Sequence, residues 1–327
     1  MFDKLTRLSA AALLTLAASA TQAQTPTVRI QDTPGIAGTL GRVAIEKGYC
    51  AKYGIQCTIQ TIAAAPLGVQ TLLAGGIEVA LAPPEVVIQS MNKGADLKVV
   101  GGAMDVSPFM LLVGPTLYDA ASKGYPGIMA SLKGKKIGVT ARGAAPEFQI
   151  KTMLQDAGMK PDDVTFVAVG SANTAYPALI NNQVDAVMGF VPFDGFCEVM
   201  KTCRIALTLA KNEGPKALTD INGAGGFYVM RRDYLIKNPV VAESLTKALR
   251  DAERFVAEAS NVNEVMQITL KYFKIDAPKG DEVLRNSMDR YRAHFKVDVR
   301  KDAVQAAANY LQQTGQLDKP FDAGRLF

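Results

Sequence analysis

The chemistry this chain offers lies in arginines, carboxylates and hydroxyls set beside glycines and alanines, and Gly134 to Gly158 concentrates them. Lys136 to Thr140 reads as a short strand. Ala141-Arg-Gly-Ala-Ala145 is a small-residue loop, and a helix follows with Pro146 in its first turn, where a missing N–H costs least. Ile150, Met153, Leu154 and Ala157 recur at helical spacing, and Gly158 ends the pattern. A strand entering a helix through a tight loop presents backbone N–H groups at the positive end of the helix dipole, which suits an anion. Arg142 adds a planar fork of donors. The competing reading is an ordinary strand-to-helix turn with Arg142 as a solvated surface charge.

Other catalytic or metal-binding sets are missing from the pattern. There is no Ser/His/Asp set, HExxH or P-loop, and the single histidine, His294, falls in a helical tail as a surface residue. We therefore expect no enzyme, no cofactor and no metal. The four cysteines form two local pairs, Cys50 with Cys57 and Cys197 with Cys203, each bracketing a short helix-to-strand connection. Without a C-x-x-C they read as disulfides of an exported chain, contributing roughly 2–3 kcal/mol each.

Export itself is read from the N-terminus. Lys4 and Arg7 form a basic region, Leu8 to Ala20 an apolar one, and Thr21-Gln-Ala23 a small-x-small cleavage site. The apolar run is too short to span a membrane. Residues 1–23 are thus expected to be a signal peptide, and the mature chain a soluble periplasmic monomer. The net charge of +5 comes without a basic run, which argues against nucleic acid.

The elements that would position this chemistry alternate. Val28–Gln31, Cys57–Ile62, Ile77–Leu81 and Leu97–Gly101 read as strands separated by helices, and the alternation resumes over residues 134–200. Leu72 to Ala82 runs parallel to Leu179 to Gly189, an internal repeat of helix end, apolar-acidic-apolar strand and Pro-containing loop. Two α/β lobes follow, each a sheet flanked by helices. Phe109–Val113 and Gly226–Met230 are the crossovers between them. Lobe I is then 24–113 plus 227–327, including the C-terminal helices, and lobe II is 114–226.

In this order the residues resemble the periplasmic substrate-binding proteins of ABC importers, in the nitrate, aliphatic sulfonate and taurine group. The likeness is carried by the leader, Leu40 to Tyr53, Leu72 to Ala82, Leu132 to Val139, Ala175 to Leu179 before Val184-Asp-Ala186, and the helical tail. It implies a type II periplasmic binding protein fold, two lobes closing on a ligand, and an ABC permease in the inner membrane as partner.

Ligands of open α/β sheets sit beyond the carboxyl ends of the strands. That rule selects Thr33, Gly38, Thr39, Leu67, Pro84 and Glu85 from lobe I. From lobe II it selects Arg142, Gly143, Ala144, Asn173, Thr174, Phe190, Pro192 and Phe193. Phe190, Pro192 and Phe193 read either as an apolar wall or as core and turn, and Glu85 either as a helix-start acid or as a cation ligand. The expected solute is a small organic anion: a carboxylate, sulfonate or aromatic acid. The alternatives are a neutral or cationic heterocycle, or the same binding chemistry used by a sensing receptor.

Overall fold

The computed structural model describes residues 25–327, so the expected signal peptide lies outside the described residues. Strand β1 (Thr27–Asp32) pairs in parallel with β2 (Gln56–Thr61). The helices between and after them are α1 (Thr39–Glu46) and α2 (Ala65–Leu73). Strand β3 (Ala80–Ala82) leads into α3 (Pro84–Asn92), then β4 (Leu97–Met104). A single bridge, Ile30 to Val79, joins β1 to the segment entering β3. Gln31, buried, braces that junction: its side chain accepts from Leu81 N–H and donates to the Ile62 carbonyl.

The second sheet contains β5 (Phe109–Val113), β6 (Lys136–Val139), β7 (Thr165–Ala168), β8 (Ala186–Phe190) and β9 (Arg204–Thr208), in the order β7-β6-β8-β5-β9. Helix α4 (Ala145–Asp156) follows β6 and α5 (Ala172–Ile180) follows β7. Strand β10 (Gly226–Arg231) returns to the first sheet, antiparallel between β3 and β4. The two halves therefore mirror each other, with β10 in the first sheet where β5 stands in the second. Each inserted strand comes from the far side of a crossover. By chain position β5 precedes lobe II, yet it is built into that lobe's sheet, antiparallel to both β8 and β9.

The C-terminal helices are α6 (Pro239–Ala257), α7 (Val262–Tyr272), α8 (Gly280–Tyr291) and α9 (Lys301–Gln313). Leu245, Leu249, Ala252 and Val256 of α6 form one buried stripe, as their spacing requires, and α6 and α7 pack on α1. Helix α8 crosses to the second lobe. Ser287 donates to Asp194 at 2.6 Å, Arg290 pairs with Asp194 and Glu198, and a Cβ on Gly195 would meet the Val283 carbonyl at 2.3 Å. After β8 the chain makes a short turn, Phe193–Gly195, followed by a π-helical turn to Met200. Strand β9 has no counterpart in the sequence reading. Both disulfides, Cys50–Cys57 and Cys197–Cys203, are formed, with Cα separations of 5.9 and 4.7 Å.

Candidate functional site

A cavity of about 70 Å³ lies where the carboxyl ends of the two sheets face each other. Lobe I contributes Thr33 after β1, Ala63 to Ala65 after β2 and Pro83 after β3. Lobe II contributes Thr140 and Ala144 to Pro146 after β6, and Phe190 at the end of β8. Both crossovers also reach it, through Met104, Phe109 and Gly226. Its position follows from the topology: parallel strands end on one edge, and the two lobes set those edges together.

Three helices begin at this cavity. Ala64 is the N-cap of α2, Pro83 of α3 and Ala144 of α4, and each helix has a proline in its first turn. Proline holds φ ready for the helix and leaves fewer N–H groups to satisfy. Each helix start carries a fraction of a positive charge, so three together favour negative charge on whatever fills the space. The walls are otherwise apolar, with Phe109 and Phe190 packed edge to face at 6.2 Å. No charged side chain lines the cavity among the described residues. Thr33 is the polar exception from lobe I: it is 8% exposed, and its Oγ1 has no partner among protein atoms.

The loop carrying Thr33 is built around a buried ion pair. Arg42 of α1 is 0% exposed and donates to Asp32 through Nε at 3.1 and 3.0 Å and through Nη2 at 2.8 Å. It also donates to the Gly35 carbonyl at 2.8 Å and the Thr33 carbonyl at 3.1 Å. Burial raises the Asp32 carboxyl from its usual range, and the Arg42 charge opposes that rise. Two glycines make the geometry possible. A Cβ on Gly38 would stand 2.0 Å from Asp32 Oδ1. Gly35, at φ +132°, passes so close to the other lobe that its Cβ would meet the Val191 carbonyl at 2.8 Å.

Of the residues the sequence selected, the structure brings Thr33, Ala144 and Phe190 to the cavity wall. The others stand elsewhere, each for a visible reason. Thr39 is buried and its hydroxyl donates to the Ile36 carbonyl at 2.6 Å, while Gly38 faces Asp32. Leu67 points to solvent, 54% exposed. Pro84 is buried in the first turn of α3, and Glu85 beside it is 0% exposed, accepting from Gln149 Nε2 at 2.8 Å.

Arg142, expected at the ligand, is instead held by Glu147 at 2.9 and 3.0 Å, its own side chain 61% exposed. It also lies 5.7 Å from the Phe166 ring. Gly143 donates its N–H to the same carboxylate at 2.8 Å, and Lys151 pairs with it at 2.7 Å. Burial would raise Glu147, but these bonds outweigh it and bring the carboxyl down to about 2. Asn173 is tied to the C-terminal segment by the Lys274 carbonyl, and Thr174 closes its own turn onto the Val169 and Ser171 carbonyls. Pro192 follows a cis peptide bond. Phe193 is core, against Phe196 and the backbone of Gly189.

The sequence reading did not select Pro83, Met104, Phe109, Thr140 or Gly226. Thr140 and Pro83 end strands and belong to the rule already used, so that signal was present. Met104, Phe109 and Gly226 come from the crossovers, whose place in the cleft depends on how the sheets are assembled.

A family model described as NMT1/THI5 like matches residues 37–260. A Brucella abortus protein whose name proposes a binding function is 25% identical over 72% of this chain and 67% of its own length. The structure is similar to the alkanesulfonate-binding protein SsuA of Xanthomonas axonopodis pv. citri, bound to MOPS. The TM-score is 0.70 at 20% identity, covering 91% of this chain and 96% of that one. It is also similar to the periplasmic nitrate-binding protein NrtA of Synechocystis, with TM-score 0.71 at 18% identity over 92% and 84% of the two chains. At these identities the likeness is one of fold, that of type II periplasmic binding proteins.

Proposed function

This chain belongs to the NMT1/THI5-like family, and from that premise we propose that it is a periplasmic solute-binding protein of an ABC importer, capturing a small organic anion between its lobes. The two lobes close about the two crossovers, and the closed form is what the inner-membrane permease recognises. The protein acts as a monomer and needs no cofactor.

One observation carries the reading: an apolar-walled space at three helix starts, with Thr33, whose buried hydroxyl has no partner among protein atoms, in its wall. Helix starts and a hydroxyl stabilise an anion, and the alanine, proline and phenylalanine walls take its organic body. Alkanesulfonate and nitrate, named for two proteins of this fold, are both anions. A second reading has its own support. A wall with Phe109 and Phe190 and no charged side chain also suits a neutral heterocycle.

Native mass spectrometry of the purified mature protein, followed by a thermal-shift screen of carboxylates, sulfonates and heterocycles, tests the proposal. An anion at 100 times its Kd adds about 2.7 kcal/mol of stability, and solution X-ray scattering then reports a smaller radius of gyration. Stabilisation by heterocycles alone replaces the anion with the second reading. No stabilisation by any of the three classes overturns solute capture.

A further inference from the structure

Behind the cavity, a polar seam crosses from one lobe to the other. Glu85 lies in the first turn of α3, and Gln149 of α4 donates to its Oε1 at 2.8 Å, across 64 positions of sequence. One turn further along α3, Gln89 donates to the Gln316 carbonyl, and the Gln316 side chain donates to Thr152 of α4 at 3.4 Å. Both interlobe contacts thus repeat at helical spacing, Glu85 with Gln89 and Gln149 with Thr152.

The seam is short of donors. Three acceptor oxygens, Glu85 Oε2, Gln149 Oε1 and Gln316 Oε1, are buried without a partner among protein atoms, against one unpartnered hydroxyl, that of Tyr310. An ionised carboxyl only accepts, whereas a neutral one also donates. No basic side chain bonds Glu85 among the described residues, and an unpaired buried charge is far costlier than a neutral acid beside an amide.

We propose that this seam is an interlobe latch in which Glu85 is held as the neutral acid, so that closing the lobes takes up one proton. The proposal rests on the solute-binding reading above for the motion it controls.

The surroundings of Glu85 support the neutral form. Helix α2, packed on α3, has no titratable residue. Helix α9 presents Tyr310, and α4 presents the neutral Gln149, its Glu147 being engaged by Arg142 and Lys151. Burial raises the Glu85 carboxyl above the usual range, and the nearby Tyr310 hydroxyl and the bond from Gln149 oppose only part of the rise.

The sign follows. In the open form the carboxyl is hydrated and ionises near its ordinary pKa of about 4.5. The closed form keeps the proton to higher pH. Closure is therefore favoured below that ordinary value. It loses up to about tenfold in population per pH unit as pH rises toward the closed-state pKa.

Scattering and thermal melts of the ligand-free mature protein between pH 5 and 8.5 test this without knowing the solute. The parent should expand and lose melting temperature as pH rises. Glu85→Gln, an amide in place of the acid, should stay compact and melt with no such decline. Gln149→Leu, which removes the latch's other half and leaves the acid in place, should be expanded already at pH 5. A parent whose shape ignores pH overturns the latch; an ordered water satisfying the seam would give that result. A parent and Glu85→Gln that expand in parallel also overturn it, as does a Gln149→Leu variant as compact as the parent. Any of these results leaves solute capture standing, because its own test is closure on adding a solute.

Discussion

The two lobes open with the same construction, β1 into α1 and β6 into α4, and each fixes its first loop with an arginine–carboxylate pair. In lobe I the pair is Arg42 with Asp32, 0% and 1% exposed, and the guanidinium also holds the Thr33 and Gly35 carbonyls. In lobe II it is Arg142 with Glu147, the arginine mostly in solvent and the carboxylate 4% exposed. Neither arginine lines the cavity. The charge builds the loops, and what lines the cavity is helix starts, alanines, prolines, phenylalanines and threonines. The difference lies in where the loop must go. The lobe I loop passes between α1 and the other lobe, so its charges are enclosed. The lobe II loop turns Arg142 and Gly143 out to solvent while its ends, Thr140 and Ala144, reach the cavity.

The contrast predicts unequal costs. Arg42→Ala leaves a buried carboxylate unpaired and should destabilise the protein by about 3–5 kcal/mol, read from urea unfolding. Replacing the pair together, Arg42→Met with Asp32→Leu, should recover most of that loss, since apolar substitutes for a buried pair are often neutral. Binding should not recover, because the Thr33 and Gly35 carbonyls lose their donors. A double variant that binds like the parent would mean the pair serves stability alone.

Glu147→Gln should cost roughly 1–2 kcal/mol at pH 7, less than its lowered pKa would convert to, because Arg142 is largely solvated. The Glu147 carboxyl is depressed, so its stabilisation is present above the ordinary value near 4.5 and fades as pH falls toward about 2. The melting difference between parent and variant should therefore shrink over that window. A constant difference would assign the effect to packing. Arg142→Ala should cost less than about 1 kcal/mol.

Much of this was legible in the sequence because it is local. Proline at a helix start, glycine after its end and alternation of apolar residues are signals within a few positions, and they located the helices and most strands. The cysteine pairs, separated by 7 and 6 residues, were legible for the same reason. What escaped depends on partners far along the chain. Arg142 and Arg42 are alike as residues, and only packing decides that one is enclosed. Glu85 reads as a first-turn acid, and nothing near it announces Gln149. Asn173 sits in the right loop, but the Lys274 carbonyl, 101 residues on, claims its side chain. Phe193 follows a strand as a ligand wall would, yet the small Gly189 lets it turn inward.

Calorimetric titration of the screened solute into Thr33→Val and Arg142→Ala, side by side with the parent, tests the central claim most directly. A hydrogen bond to a charged group is worth about 1.5–3 kcal/mol, so Thr33→Val should weaken an anion by roughly tenfold to a hundredfold. Arg142→Ala should bind within about threefold of the parent. Both free proteins should melt within a few degrees of it. The reverse result, a large loss at Arg142 with Thr33→Val unchanged, would put the solute on the lobe II arginine and contradict the account.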